Sequence, residues 1–356
     1  MMSAARQKPM YRVVKEYLLN KIKTGELMPD DRIPSEKELM DMFQVSRITV
    51  RKAIDELVIE GYLYRLQGIG SFVKKKEEMG QTSNLIGVFL SSASDLLSIG
   101  ILKGIEQHIS SLGFHAVVQF ADENSSSEWE KFKKFLELNV SGFIVFPHLS
   151  MSQNELIKQL LTERRPIVFV DRTVEGLDGY SVESDNQKGA YDVTKHLIEV
   201  HGCKKIAFVT WETTKVSSVR DRFRGASLAC SESNASLTLI EVRRGSVREQ
   251  CKALKSFDAV FACTDLLAVE VISGLQMLGM NVPKDIAVVG FDDLLFSDFV
   301  RPSLTTVRQY PERMGEKAAA ILLSLLSWGD VPIKKHYVPT KLVVRNSCGC
   351  MEHPHS

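Results

Sequence analysis

A chain of 356 residues with 44% hydrophobic and 25% charged residues has room for two or three domains and the composition of an ordered, water-soluble protein, which excludes a disordered one. No apolar run reaches the roughly 18 residues that a membrane span needs, and no charged leader with an apolar core is found, so the expectation is a cytoplasmic protein without a membrane partner. The net charge of +1 conceals an asymmetry: residues 1–76 hold 15 Lys or Arg against 10 Asp or Glu, the remainder 30 against 34, a basic head on an acidic body.

The first predicted helix covers about residues 11–24, where Tyr11, Val14, Leu18 and Ile22 recur at helical spacing and Gly25 supplies a stop. A second, over 36–43, opens on Ser35-Glu36-Lys37-Glu38, the Ser-x-x-Glu form of a capping box, and turns Leu39, Met42 and Phe43 inward. Residues 44–46 leave room only for a tight turn before a third capped helix, whose buried stripe is Val50, Ala53, Ile54 and Leu57. Arg47 and Arg51, four apart, project from one face near its start. After Gly61, residues 62–65 and 71–73 read as short strands joined by the glycine-bearing turn 66–70, a hairpin wing.

These residue types suit a DNA duplex. A guanidinium offers parallel donors to guanine O6 and N7, Ser46 and Thr49 can reach phosphate oxygens or a thymine methyl, and Lys37 is placed for backbone phosphate. Gln67 and Gly68 at the wing tip fit an adjacent minor groove. Taken singly, each feature also fits any small helical bundle with exposed arginines; the ordered combination does not. Residues 33–39, 45–53, Leu57, Glu60-Gly61 and Gln67 to Val73 together resemble the GntR-type winged helix-turn-helix head. The resemblance spans nearly all of residues 10–73 and implies that Lys37, Arg47, Thr49, Arg51, Gln67 and Gly68 touch operator DNA. Lys37 departs from the arginine common there, keeping the charge and losing bidentate geometry.

Residues 74–83 break every apolar periodicity and read as a tether, whose lysines either follow phosphates or form a solvated run. Apolar strands are then predicted at 85–90, 114–120, 142–146, 166–170, 205–210, 258–262 and 286–290, with helices between them over 99–112, 187–200 and 266–278. This βα repeat predicts an α/β body of doubly wound parallel sheets, and its length predicts two lobes with a cleft between them. Ligands of such sheets bind beyond the carboxyl ends of strands. There the sequence places Ser91-Ser92, Asp171-Arg172, Trp211, Thr264-Asp265 and Asp292-Asp293, an inventory of carboxylates, hydroxyls, a guanidinium and an aromatic ring that suits a polyhydroxy ligand. Helix capping is the alternative role for each. Arg220 and Arg222 near a helix start are unfavourably placed unless something anionic or polar faces them.

Six cysteines, at 203, 230, 251, 263, 348 and 350, are too sparse for a disulfide framework and read as reduced thiols. Cys348-Gly349-Cys350 with His353 and His355 in a short tail lacks the spacing of a structural zinc site, so neither metal nor cofactor is expected. No nucleophile elbow, phosphate loop or metal-ligand pair appears. Asp292-Asp293 as an acid–base pair, with His115, His148, His196 and His201 at hand, is the weaker enzymatic alternative.

The series Leu85 to Val88, Gly100 to Gly104, Val182 to Ala190, Arg220 to Gly225, Thr264-Asp265, Val288 to Asp293 and Pro302 to Val307 resembles the effector core of LacI-type repressors over about residues 84–350. It implies effector contacts from Ser91, Asp171, Arg222, Thr264 and Asp292. A GntR-type head on a LacI-type core is the arrangement of the arabinose-responsive repressors, whereas the usual LacI head and hinge helix are absent. The organisation expected is a DNA-binding head (1–73), a linker (74–83), a sugar-binding and dimerisation body (84–350) and a tail (351–356). The function expected is a homodimeric repressor of sugar-utilisation genes, released from double-stranded operator DNA by a small sugar such as L-arabinose. The alternatives are a sugar receptor without DNA activity and a regulator tightened by its ligand.

Overall fold

The computed structural model describes residues 9–24, 26–28, 30–59, 61–66, 69–74, 83–121, 133–135, 137–147, 151–162, 165–174, 176–177, 179–211, 216–328, 331 and 333–350. Helices α1 (Met10–Lys23), α2 (Glu36–Phe43) and α3 (Arg47–Ile59) precede the antiparallel strands β1 (Leu63–Leu66) and β2 (Gly70–Val73). Ser35 Oγ accepts from the Glu38 N–H at 3.2 Å while the Glu38 carboxylate accepts from the Ser35 N–H at 2.7 Å, a reciprocal cap of about 1 kcal/mol. Gln44, in the left-handed region at φ 52°, ends α2 and turns the chain toward α3. Val14, Leu18, Leu39, Val50, Ala53, Ile54 and Leu57 form a core with Ile33, Leu63 and Val73. Met42, expected inward, is instead 52% exposed: Leu39 and Phe43, one turn apart, hold the inner face, and Phe43 lies edge-on to Tyr17 at 5.1 Å. Gly25, the wing tip Gln67-Gly68, linker residues 75–82 and the tail 351–356 lie outside the described residues.

Two parallel sheets build the body. The first contains β3 (Leu85–Leu90), β4 (His115–Phe120), β5 (Gly142–Val145), β6 (Ile167–Val170), β7 (Tyr180–Ser184) and β13 (Lys335–Val338) in the order β13-β7-β6-β5-β3-β4. The second contains β8 (Lys205–Thr210), β9 (Ser236–Glu241), β10 (Ala259–Ala262) and β11 (Ala287–Val289) in the order β11-β10-β8-β9. Strands β5, β6 and β10 are buried throughout, as sheets covered by helices on both faces require. The chain passes between lobes three times: after β7, after β12 (Thr306–Arg308), and between β13 and β14 (Lys341–Val343), with β12 and β14 paired antiparallel. The expected helices begin at Leu96, Asn186 and Asp265, one to three residues earlier than their apolar periodicity suggests, because Asp95, Asp185 and Thr264 cap them.

Glycines set the closest helix approaches. A Cβ on Gly104 would overlap the carbonyl of Glu312, and one on Gly315 the carbonyl of Ile101, so helices Leu96–Ser110 and Pro311–Trp328 meet backbone to backbone in the first lobe. Gly225 approaches the Gln187 carbonyl in the same way, joining helices Ser217–Glu232 and Asn186–His201 in the second. Each lobe buries its own apolar cluster, one around Ile86, Val88, Ile144 and Leu322, the other around Phe208, Phe261, Val288 and Phe291. No helix among the described residues is long and apolar enough to cross a membrane.

Candidate nucleic-acid interface and ligand cleft

Helix α3 presents its first turns outward. Arg47 and Arg51 side chains are 64% and 50% exposed, and both donate from Nε to the Glu36 carboxylate, at 2.7 and 2.9 Å. Burial pushes the Glu36 carboxyl up, but the hydrogen bonds from Arg47 and Arg51 outweigh it and bring it below its usual range. One carboxylate at the start of α2 thus orients two guanidinium groups of α3, each keeping its other N–H donors. Between them Ile48 is 81% exposed, an apolar side chain on an otherwise charged face. Ser46 acts as the cap of α3: its Oγ accepts from the Thr49 N–H at 3.3 Å and meets the Thr49 hydroxyl at 2.9 Å. Lys37 is exposed on α2, and Lys52 rests 4.1 Å above the Tyr11 ring. The strands flanking the wing tip leave Leu66 and Ile69 exposed, while Gln67 and Gly68 lie outside the described residues.

Arg222 is the centre of the second candidate site. Only 4% exposed, it donates from Nε to Asn186 Oδ1 at 2.8 Å and from Nη1 to the Cys263 carbonyl at 2.6 Å, with Asp292 Oδ1 at 3.6 Å and the Phe291 ring 3.8 Å from its guanidinium carbon. Asp292 follows the second-lobe strand β11, has a positive φ of 128°, and accepts from Gln309 Nε2 at 2.6 Å. Burial drives its carboxyl well above the usual range, opposed chiefly by Arg222; Asp265, Gln309 and Asp95 also act on it. Asp95, which caps helix Leu96–Ser110 of the first lobe, is near enough for its charge to act on Asp292.

On the first-lobe side, Ser91 Oγ meets Asp95 Oδ2 at 3.0 Å and the Ser98 hydroxyl at 2.8 Å. Asp171, buried and with φ 67°, pairs with Arg172 at 3.3 Å, and the Arg172 guanidinium carbon lies 5.2 Å from the Phe146 ring centre. Glu183, buried at the end of β7, is pushed up to about 7 by burial, against a hydrogen bond from Ser181 and reinforced by Asp221 and Asp171. A bond between lobes, Thr173 N–H to Ser217 Oγ at 2.9 Å, lies beside this group.

Other strand-end residues have structural partners. Thr264 caps helix Asp265–Met277, accepting from the Leu267 N–H at 3.3 Å. Asp265 is wholly buried and accepts from Ser297 Oγ at 2.7 Å, the Leu294 N–H at 2.9 Å and the Thr306 hydroxyl. It braces a helix start against the crossover strand β12. Asp293 is held by Arg345 at 2.8 Å and by Arg308. Trp211 packs on the second-lobe core with the Arg244 guanidinium 5.0 Å from its ring, and Arg220 Nε stands 3.7 Å from Asp221 Oδ1. Buried polar atoms without a hydrogen-bond partner among the described residues include Trp211 Nε1, Arg220 Nε and Gln309 Oε1. Two are donors and one an acceptor, the mixture that a hydroxyl-bearing molecule satisfies. Glu36, Ile48, Asp95, Asn186 and Gln309 carry no local signal along the chain that marks them as site residues, and Glu36 and Asp95 stand at helix starts, where acids are ordinary.

Comparison with known proteins follows the same division. Residues 10–73 match the model of bacterial regulatory proteins of the gntR family, and residues 194–348 that of a periplasmic binding protein-like domain. The arabinose metabolism transcriptional repressor of Halalkalibacterium halodurans is 30% identical over 363 residues, covering 95% of this chain and 96% of that protein. Its counterpart from Geobacillus stearothermophilus is 29% identical over 357 residues, with 95% and 97% covered. Among solved structures, the lac repressor dimer bound to operator and an anti-inducer superposes with a TM-score of 0.66 at 23% identity, over 76% of this chain and 96% of that one, a likeness of fold.

Proposed function

The chain belongs to the family of DNA-binding transcriptional repressors that join a GntR-type head to a periplasmic-binding-protein-like core, and we propose that it represses sugar-utilisation genes and is released from DNA by a small sugar, L-arabinose being the first candidate. The observations that carry the ligand reading are the buried Arg222–Asp292 pair with Gln309 on it and the buried atoms without a hydrogen bond on Trp211, Arg220 and Gln309. Vicinal hydroxyls supply the missing partners, donating to Gln309 Oε1 and accepting from the indole and guanidinium N–H groups. Asp171 and Asp292 fix orientation as strong acceptors, and Ser91, Arg172 and Thr264 border the same strand ends.

The head reads the operator through α3. Arg47 and Arg51 meet guanine edges, Ile48 meets a thymine methyl, and Lys37, Ser46 and Thr49 hold phosphates, with Gln67 and Gly68 of the wing in the minor groove. The chain acts in the cytoplasm as a homodimer on a pseudo-palindromic site, and it performs no catalysis. The sugar bridges lobes that are joined by three crossovers, and the closed form holds the two heads at a spacing that fits the operator less well. Gel-shift titration with a panel of pentoses and hexoses tests this reading: one sugar weakens the operator complex and raises the melting temperature. Tightening of the complex would make the sugar a corepressor, and indifference to every sugar would refute the ligand assignment.

A further inference from the structure

The carboxyl-terminal Cys348-Gly349-Cys350 does not stand alone in the folded chain. His196 and His201, on the last turns of helix Asn186–His201, bring their rings to it, and the four donor atoms all lie within 4.8 Å of one another. His196 Nε2 is 3.4 Å from Cys348 Sγ and 3.6 Å from Cys350 Sγ, while His201 Nε2 is 3.4 Å from Cys350 Sγ. A tetrahedral ion with Zn–S bonds of about 2.3 Å and Zn–N bonds of about 2.05 Å holds sulfur and nitrogen about 3.6 Å apart. The three sulfur–nitrogen separations match that spacing, and the widest pair of donors needs to close by about 1–1.5 Å.

We propose that His196, His201, Cys348 and Cys350 form a structural zinc site. Two thiolates and two imidazoles are the donor set that selects zinc in tetrahedral geometry, and four protein ligands leave no open position for chemistry. The local backbone suits the task. Gly349 adopts φ 108°, turning both thiols to one side, and its hydrogen faces the His201 ring at a point where a Cβ would stand 3.2 Å from Nδ1. Thr305 Oγ1 lies 3.1 Å from Cys348 Sγ and supplies an outer hydrogen bond to a thiolate. The sequence offered only His353 and His355 as partners for the cysteines; the structure brings two histidines from about 150 positions away instead.

Such an ion would latch the end of the chain to the second lobe. The turn it fixes carries Ser347, whose Oγ accepts from the Thr305 N–H at 2.8 Å, and Arg345, which pairs with Asp293 next to Asp292. Asn186, which accepts from Arg222, lies at the opposite end of the same helix, about 15 Å along its axis from His196 and about 22 Å from His201, so the site acts on the lobe's integrity and not by touching the effector.

The test uses the full chain purified under reducing conditions without chelator. Elemental analysis is expected to find about one zinc per chain, and exchange into cobalt(II) to give thiolate-to-cobalt charge-transfer absorption with tetrahedral visible bands. His201→Asn, at the half-buried helix end, and the pair Cys348→Ser with Cys350→Ser should each abolish the cobalt spectrum, and chelation should lower the wild-type melting temperature by several degrees. A reduced wild-type chain that retains no metal, takes up none from added zinc, and shows no cobalt–thiolate absorption overturns the proposal. So does thiol titration showing that Cys348 and Cys350 are joined as a disulfide in that preparation. These readouts need neither sugar nor DNA, so they stand apart from the repressor reading.

Discussion

Replacing Arg222 by Met removes the cation beside Asp292 and the hydrogen bonds that its guanidinium donates to Asn186 Oδ1 and to the Cys263 carbonyl. Breaking one side of a buried ion pair costs about 3–5 kcal/mol, because the remaining carboxylate loses its counter-charge and keeps only the Gln309 hydrogen bond. For lobes of this size that corresponds to a fall of about 10 °C in melting temperature. Asp292→Asn is milder, at about 1–2 kcal/mol, since Arg222 keeps Asn186, Cys263 and the Phe291 face. The double variant Arg222→Met with Asp292→Asn removes both charges and keeps most of the volume, so it should cost less than the two single effects summed, what remains being the hydrogen bonds Arg222 gave to Asn186 and Cys263. Urea unfolding followed by tryptophan fluorescence and circular dichroism measures all three. Single effects that simply add in the double variant would refute the assignment of this pair as a buried, mutually dependent unit. The double variant also separates folding from recognition: it should fold and still fail to respond to the sugar.

Three further outcomes follow from the geometry. Glu183 titrates near 7 instead of the usual 4.5 because it is buried, so the native chain holds a proton that the unfolded chain has already released. Stability should therefore fall by about 3 kcal/mol as pH rises from 4.5 to 7, a loss that Glu183→Gln abolishes; parallel pH–stability curves for the two proteins would contradict it. In the head, Arg47→Ala or Arg51→Ala should cost about 1–3 kcal/mol and relax base preference, while Lys37→Ala should weaken all sequences alike and reduce the salt slope by about one; footprinting across operator variants tells these apart. Gly104→Ala places a methyl against the Glu312 carbonyl and should destabilise the first lobe by about 1–3 kcal/mol, visible as a lowered denaturation midpoint, whereas an unchanged midpoint would mean the helices are not in backbone contact.

The head was legible because its signals are local. A capping box, a short turn and a buried stripe are written within a few residues of one another, and the structure places Ser35, Glu38, Val50 and Leu57 accordingly. The body's alternation was legible where strands are apolar throughout, as in β5, β6 and β10. Strand β7 was not, since Ser181 and Glu183 interrupt its apolar run although both are buried, and β9 and β13 are edge strands with exposed residues. Strand-end position alone could not separate Asp292, turned toward Arg222 and Gln309, from Asp265, whose carboxylate is filled by Ser297, Thr306 and Leu294. Thr264, another strand-end residue, caps a helix, as Ser46 does at the start of α3. Glu36 and the gathering of His196 and His201 on Cys348 and Cys350 depend on contacts between elements, which no spacing along the chain records.

The first sheet acquires its last strand, β13, only after the whole second sheet has been traversed. During synthesis the ribosome therefore releases a second lobe's worth of chain while the first still shows a bare edge beside β7, and a premature stop anywhere before residue 335 leaves both halves incomplete. The winged module, contiguous from Met10 to Val73, meets no such delay, so translation delivers the nucleic-acid reader well before the part that governs it.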